Sequence, residues 1–200
     1  GRERAAVRID CRSLEHAVVK LPAEAEFVAV NTMVKHDLGA SAYRNRVAEC
    51  AAAVACVKGR YPEVESLRDV SSARLAEFDG AMEAVAMKRA RHVVSEDERV
   101  EAFLEASAAG DLERMGRLLV GSHRSLQHDY EVSCEELDFL VDTAEGMPGV
   151  YGARMTGGGF GGCVVAMLEP ERALEIQAAL SDAYQEQFGV VAEFYACRPS

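Results

Sequence analysis

The stretch "MTGGGFGGCVVAML", residues 155–168, places five glycines in the six positions from Gly157 to Gly162, broken only by Phe160, and runs straight into apolar sequence. Two opposite folds share that spelling. Gly157, Gly159 and Gly162 satisfy G-x-G-x-x-G, the dinucleotide fingerprint, which needs its last glycine to open a helix whose first amides meet a pyrophosphate. Here the continuation is CVVAML, β-branched and apolar, which has strand character. The helix context fails and a doubly wound dinucleotide fold is rejected. No G-K-[ST] follows either, so a Walker loop is absent. What is left is strand, glycine loop, strand. The loop is either a wide turn whose glycines supply positive φ, or a bare backbone that something approaches closely, such as an anion on consecutive amides.

Working outward, VYGARM (150–155) precedes the loop as a second strand. Pro170 suits the first turn of a helix running to about Phe188, with Gly189 as its stop and VVAEFYA (190–196) as a last strand. Three short valine-rich runs open the chain, AAVRIDC (5–11), HAVVKL (16–21) and EFVAVNT (26–32), each bounded by turn residues. Between these ends the periodicity is helical. Tyr43, Val47, Cys50, Val54 and Val57 recur at spacings of four and three within 41–58, with Arg44, Asn45 and Glu49 largely off that face. Ser95 with Glu98, and Ser133 with Glu136, spell capping boxes, and Asp111 can cap a helix that turns Leu112, Met115, Leu118 and Leu119 inward. The sum is an α+β fold, helices packed on a largely antiparallel sheet.

Composition narrows the function. Of 200 residues 49% are hydrophobic, and 22 basic against 33 acidic side chains leave a net charge of −11. That balance argues against nucleic acid or an anionic membrane as partner. The one dense basic run, Lys88 to His92, reads as a solvated helix face. No apolar stretch reaches membrane-span length. The six cysteines include no C-x-x-C pair and are expected as buried free thiols in a reducing, cytoplasmic setting, with no metal site. The chain opens at Gly1 in strand-like sequence, which suggests a piece of something longer.

Four stretches together resemble one family. GVYGARMTGGGFGGCVV (149–165) is similar to the third signature motif of galactokinases, within the small-molecule kinases called GHMP. NTMVKHDLGASAYRNRVAEC (31–50), RARHVVSEDERV (89–100) and GRLLVGSHRSLQHDYEVSCEELD (116–138) are similar to galactokinase sequence in the same order. The resemblance implies a GHMP C-terminal domain over 35–200, with a ferredoxin-like split βαβ, and strands left from an N-terminal domain over 1–34. It implies ATP and Mg2+ as cofactors, galactose as substrate, and transfer of a phosphoryl group to the sugar 1-hydroxyl.

The family's G-E-H-T-D segment and its serine-rich phosphate loop do not occur in these 200 residues, and the resemblance puts the catalytic aspartate shortly before Gly1. No residue here inherits that role, so the chain alone is expected to be inactive. A non-catalytic galactokinase-like regulator and an N-acetylgalactosamine kinase are the alternatives. The resemblance also gives Tyr43 a contact with galactose, against the plain reading that it packs on its helix stripe. Thr156, Gly157, Gly158, Gly159, Phe160, Gly161 and Gly162 would line the cleft floor, and Lys35 would sit near the transferred phosphate, against the plain reading of a solvated lysine. His36 and Asp37 are adjacent on an extended segment, so they are read as structural. His123 and His128 lie too far apart around a helix to share a ligand.

Overall fold

A computed structural model describes residues 5–35 and 39–197. His36 and Asp37 therefore lie outside the described residues. A hairpin of β1 (Ala5–Ile9) and β2 (His16–Lys20) forms a two-stranded sheet. The main sheet joins β3 (Glu26–Lys35), β4 (Val150–Thr156), β5 (Gly161–Leu168) and β6 (Glu193–Ala196) in the order β4-β5-β3-β6, every neighbour antiparallel. Helices intervene between β3 and β4, and α6 (Ala173–Phe188) lies between β5 and β6, so the sheet has the split βαβ order expected. The domain boundary expected between residues 34 and 35 cuts through β3. That strand is central to the sheet, because VAVN pairs with both β5 and β6.

Five helices stand between β3 and β4: α1 (Gly39–Lys58), α2 (Ser72–Ala76), α3 (Ala84–Ala109), α4 (Leu112–Ser125) and α5 (Glu135–Glu145). Alternation along β5 sends Val164, Ala166 and Leu168 into a core closed by Leu137, Leu140, Val141, Ile176, Leu180 and Tyr184 of α5 and α6. Met167, from the other face, meets Met115 and Ala106. A separate helical core joins Val57 of α1 to Leu75, Ala90 and Val94.

Helix α4 lies directly against β4 through two glycines. A Cβ on Gly152 would stand 2.2 Å from the Gly116 carbonyl oxygen, and one on Gly116 would stand 1.9 Å from that of Tyr151. Backbone thus touches backbone, which only glycine permits.

Asp111 caps α4 as expected, accepting from the Arg114 amide at 2.9 Å, and Gly110 and Gly189 end their helices with φ near 69°. The other capping signals mislead. Ser95 sits in the middle of α3, whose cap is Glu83, and its hydroxyl donates back to the His92 carbonyl. Ser133 donates to Asp138 rather than capping α5, which opens after Cys134. All six cysteines are free, but none is fully buried, and Cys11 and Cys197 are exposed. Among the described residues no helix is long and apolar enough to cross a membrane.

Candidate functional site

The glycine segment is the connection between β4 and β5, with Thr156 paired to Cys163 across its base. Gly157, Gly159, Gly161 and Gly162 have φ between 84° and 109°, and Phe160 joins them at 60°. Positive φ at a phenylalanine is rare, and here it is over-determined. The Phe160 amide donates to the Val132 carbonyl at 2.8 Å, and its ring packs against the main core. Gly159 rests on the same residue, since a Cβ there would meet the Val132 oxygen at 2.2 Å. At Gly157, Gly158 and Gly162 a Cβ would meet nothing within 4 Å. The loop is therefore gripped at its centre and bare on either side.

The turn that grips it, 129–132, is itself clamped by two arginines. Arg46 of α1 donates through Nε to the Tyr130 carbonyl at 2.5 Å and through Nη2 to the Glu131 carbonyl at 2.9 Å. Arg89 of α3, 2% exposed, donates to the Asp129 carbonyl and to the carboxylates of Glu49 and Glu131 at 2.5–2.7 Å. Three consecutive carbonyls, of Tyr130, Glu131 and Val132, thus tie α1 to the glycine loop. Glu131 takes φ 55°, and the hydrogen bonds from Lys88 and Arg89 hold its carboxyl down at about 2. The basic run expected as a solvated face is split: Lys88 and Arg91 are exposed, whereas Arg89 and His92 turn inward. The reason is periodicity, since the α3 positions facing α1 and the turn include 89, 90 and 92.

Two rings back this turn. His92 stacks on Tyr130 with centroids 4.4 Å apart. Burial, with the charges of Arg99, Arg154 and Arg89 opposing Asp129, drives the His92 imidazole down to about 4. Burial pushes the Tyr130 phenol up to about 12, with Cys50 and Tyr43 adding to it. Both are neutral at pH 7.

Behind β4, His123 is fully buried. Its Nδ1 accepts from the Met155 amide at 3.2 Å, which leaves the proton on Nε2, facing Asp138 at 3.1 Å. Asp138 also accepts from Ser133 and Gln127, and these hydrogen bonds outweigh burial in lowering its pKa. His128 is exposed and stands apart from this group.

From the other side comes the end of β3. The buried Thr32 donates to the Gly162 carbonyl at 2.8 Å, and its own carbonyl accepts from the Tyr184 hydroxyl at 2.9 Å. The strand then bulges, with Met33 at φ 59°, before Lys35 pairs with Gly161. Three non-glycine residues with positive φ, Met33, Glu131 and Phe160, therefore belong to the loop or to the segments bonded to it.

Of the residues singled out from sequence, the structure sets Lys35 opposite Gly161 along the backbone. Tyr43 does not pack inward on its stripe. It is 65% exposed and Val47 52%, because the apolar contact of α1 is confined to its second half, where Ala53 and Val57 are buried. Arg46, Glu49, Arg89, His92, His123 and Asp138 were missed. The available signal was an arginine pair lying inside helices with apolar periodicity, which calls for buried carboxylates elsewhere.

An α+β split sheet with a glycine hairpin buttressed in this way defines a class. Residues 102–186 match the family described as GHMP kinases C terminal, and the chain carries that domain. Over its length it is similar to curated galactokinases. It is 42% identical across 200 residues to that of Roseiflexus sp., covering 100% of this chain and 51% of the relative, and 46% identical across 184 residues to that of Chloroflexus aurantiacus, covering 92% and 47%. The solved galactokinase of Lactococcus lactis, complexed with galactose, superposes with a TM-score of 0.92 at 36% identity, over 99% of this chain and 51% of that one. The mevalonate kinase of L. major, at 18% identity and a TM-score of 0.56, shares the fold. The chain spans about half the length of the relatives it matches.

Proposed function

We propose that this chain is the C-terminal half of a galactokinase, an ATP-dependent enzyme that phosphorylates the 1-hydroxyl of galactose in the cytoplasm. The observation that carries the reading is the superposition on the galactose-complexed enzyme, together with the glycine hairpin that lies within the matched residues 102–186. Phosphoryl transfer is chiefly positioning plus charge neutralisation. The bare backbone at Gly157 and Gly158 fits the close approach of a phosphate or of a phosphate-binding loop, because no side chain or neighbour occupies that space. The exposed Tyr43 offers a hydroxyl and a flat ring to a sugar. The family resemblance assigns Lys35, whose backbone pairs with Gly161, a place near the transferred phosphate. Mg2+ would neutralise the phosphates, and the family resemblance assigns its ligands mainly to the N-terminal part of the enzyme. The β1–β2 hairpin, a sheet of its own, is assigned with the preceding domain.

A coupled assay for ADP release with galactose tests this on the 200-residue chain and on one extended upstream of Gly1. Turnover is expected only from the longer chain, and activity in the shorter one would refute the division of labour. In the longer chain, Gly159→Val should abolish turnover with helical circular dichroism unchanged. Persisting turnover removes the loop from the site.

A further inference from the structure

A cavity lies away from the glycine loop, where the β1–β2 hairpin meets α3 and α4. It encloses about 320 Å³, within the range that takes small organic ligands. Its walls are apolar: Val19 and Leu21 from the hairpin side, Val100 and Phe103 from α3, Leu118 and Leu119 from α4. Its polar groups are connected to one another. Glu96 pairs with Arg99 and accepts from the Ser122 hydroxyl at 2.6 Å. Arg154, on β4, reaches the same carboxylate only at 3.8 Å, beyond hydrogen-bond distance. Its Nε is used by the Met155 carbonyl at 2.9 Å. A third arginine, Arg8, also lines the cavity and is ion-paired with Glu101.

Two guanidinium groups thus share one carboxylate, and that carboxylate is already hydrogen-bonded. Arg154, a third exposed, faces the hydrocarbon walls with Glu96 at 3.8 Å as its nearest carboxylate among the described residues. Burial lowers the pKa of both Arg99 and Arg154; at Arg99 the charge of Arg154 adds to that lowering and Asp129 opposes it. A guanidinium stays protonated even so, and the arrangement favours an arriving anion able to take the free donors of Arg154.

We infer that this cavity is a binding site for a small monoanion with an apolar body, such as a medium-chain carboxylate, its carboxylate on Arg154 and its chain against Val100, Phe103, Leu118 and Leu119. No part of the proposed galactokinase site is shared with it, so the two readings fail separately.

The test is an NMR titration of the whole 200-residue chain, methyl-labelled, with sodium octanoate and with octan-1-ol. Octanoate should shift the methyl resonances of Val100, Leu118 and Leu119 saturably, and octanol should bind at least tenfold more weakly, since it brings the same chain without the charge. Arg154→Met should weaken octanoate at least tenfold and leave octanol unchanged. Equal affinity for acid and alcohol, no saturable shift at those methyls, or unaltered octanoate affinity in a folded Arg154→Met would each overturn the inference. If Arg154→Met does not fold, the acid–alcohol comparison on the unmodified chain decides alone.

Discussion

At the scale of single residues, the buried imidazole of His92 makes a sharp prediction. Its pKa lies near 4 in the folded chain and near 6.5 when unfolded. Between those values the unfolded state binds the extra proton, so stability rises with pH through this window and is lost as pH falls from about 6.5 to about 4. The span corresponds to about 3 kcal/mol in all. Urea unfolding at pH 5.0 and 6.5 measures the upper part, above the range where Glu131 and Asp138 titrate. His92→Phe, which keeps the stack on Tyr130, should flatten that slope; an unchanged slope would assign it to other groups. Gly159 offers a second contrast. Alanine there meets the Val132 oxygen and a φ of 84°, whereas alanine at Gly157 meets a φ of 90° and open space. Gly159→Ala should cost about 3 kcal/mol and Gly157→Ala about 1. Chemical denaturation reads both, and equal losses would mean that Val132 yields.

At the scale of elements, the approach of α4 to β4 is decided by Gly116 and Gly152. A methyl on Gly152 drives the helix off the strand, and nothing soft stands in its way, because the atoms it meets are backbone. Gly152→Ala should destabilise the chain by about 3 kcal/mol. It should also lengthen the His123–Met155 hydrogen bond, which spans the same interface. Amide exchange at Met155 measures that, and full protection with only a small stability loss would show that the two elements can part without strain. The periodicity of α1 is a related lesson. Its stripe of Tyr43, Val47, Cys50, Val54 and Val57 is continuous in sequence, yet only the second half finds a partner, since Arg46 and Glu49 turn the first half toward the 129–132 turn. A sequence stripe states which residues share a face; it does not state how far along the face the neighbour extends.

At the scale of the whole molecule, the β1–β2 hairpin is the most weakly held part. Apolar Val7, Ile9 and Val18 are about half exposed, and it is fastened by ion pairs, Arg8–Glu101, Arg12–Asp69 and Arg68–Asp10. The arginine bonds and nearby amides hold Asp10 and Asp69 well below the usual carboxylate range. Such exposed pairs contribute little each and weaken with salt. Hydrogen exchange in 5–9 and 16–20 should therefore outpace that in β3 and β5 and quicken further in 1 M NaCl. Equal, salt-independent protection would show that the hairpin unfolds only with the rest.

Local sequence by itself determined the parts that depend on neighbours along the chain. Strand character after Gly162 excluded a helix and hence a dinucleotide site, Asp111 and Gly110 marked a helix boundary, and the spacing of strands and helices specified an α+β fold with a largely antiparallel sheet. Tertiary structure alone decided what depends on partners far apart in sequence. It placed β3 in the centre of the sheet, turned Arg89 and His92 inward, and gave Ser95 and Ser133 tasks other than capping. It also joined Arg46 to Val132's neighbours so that one turn holds both α1 and the glycine loop. The physical reason is that caps and periodicity are satisfied within a few residues, whereas a buried charge or a bare backbone is explained only by the group that comes to meet it.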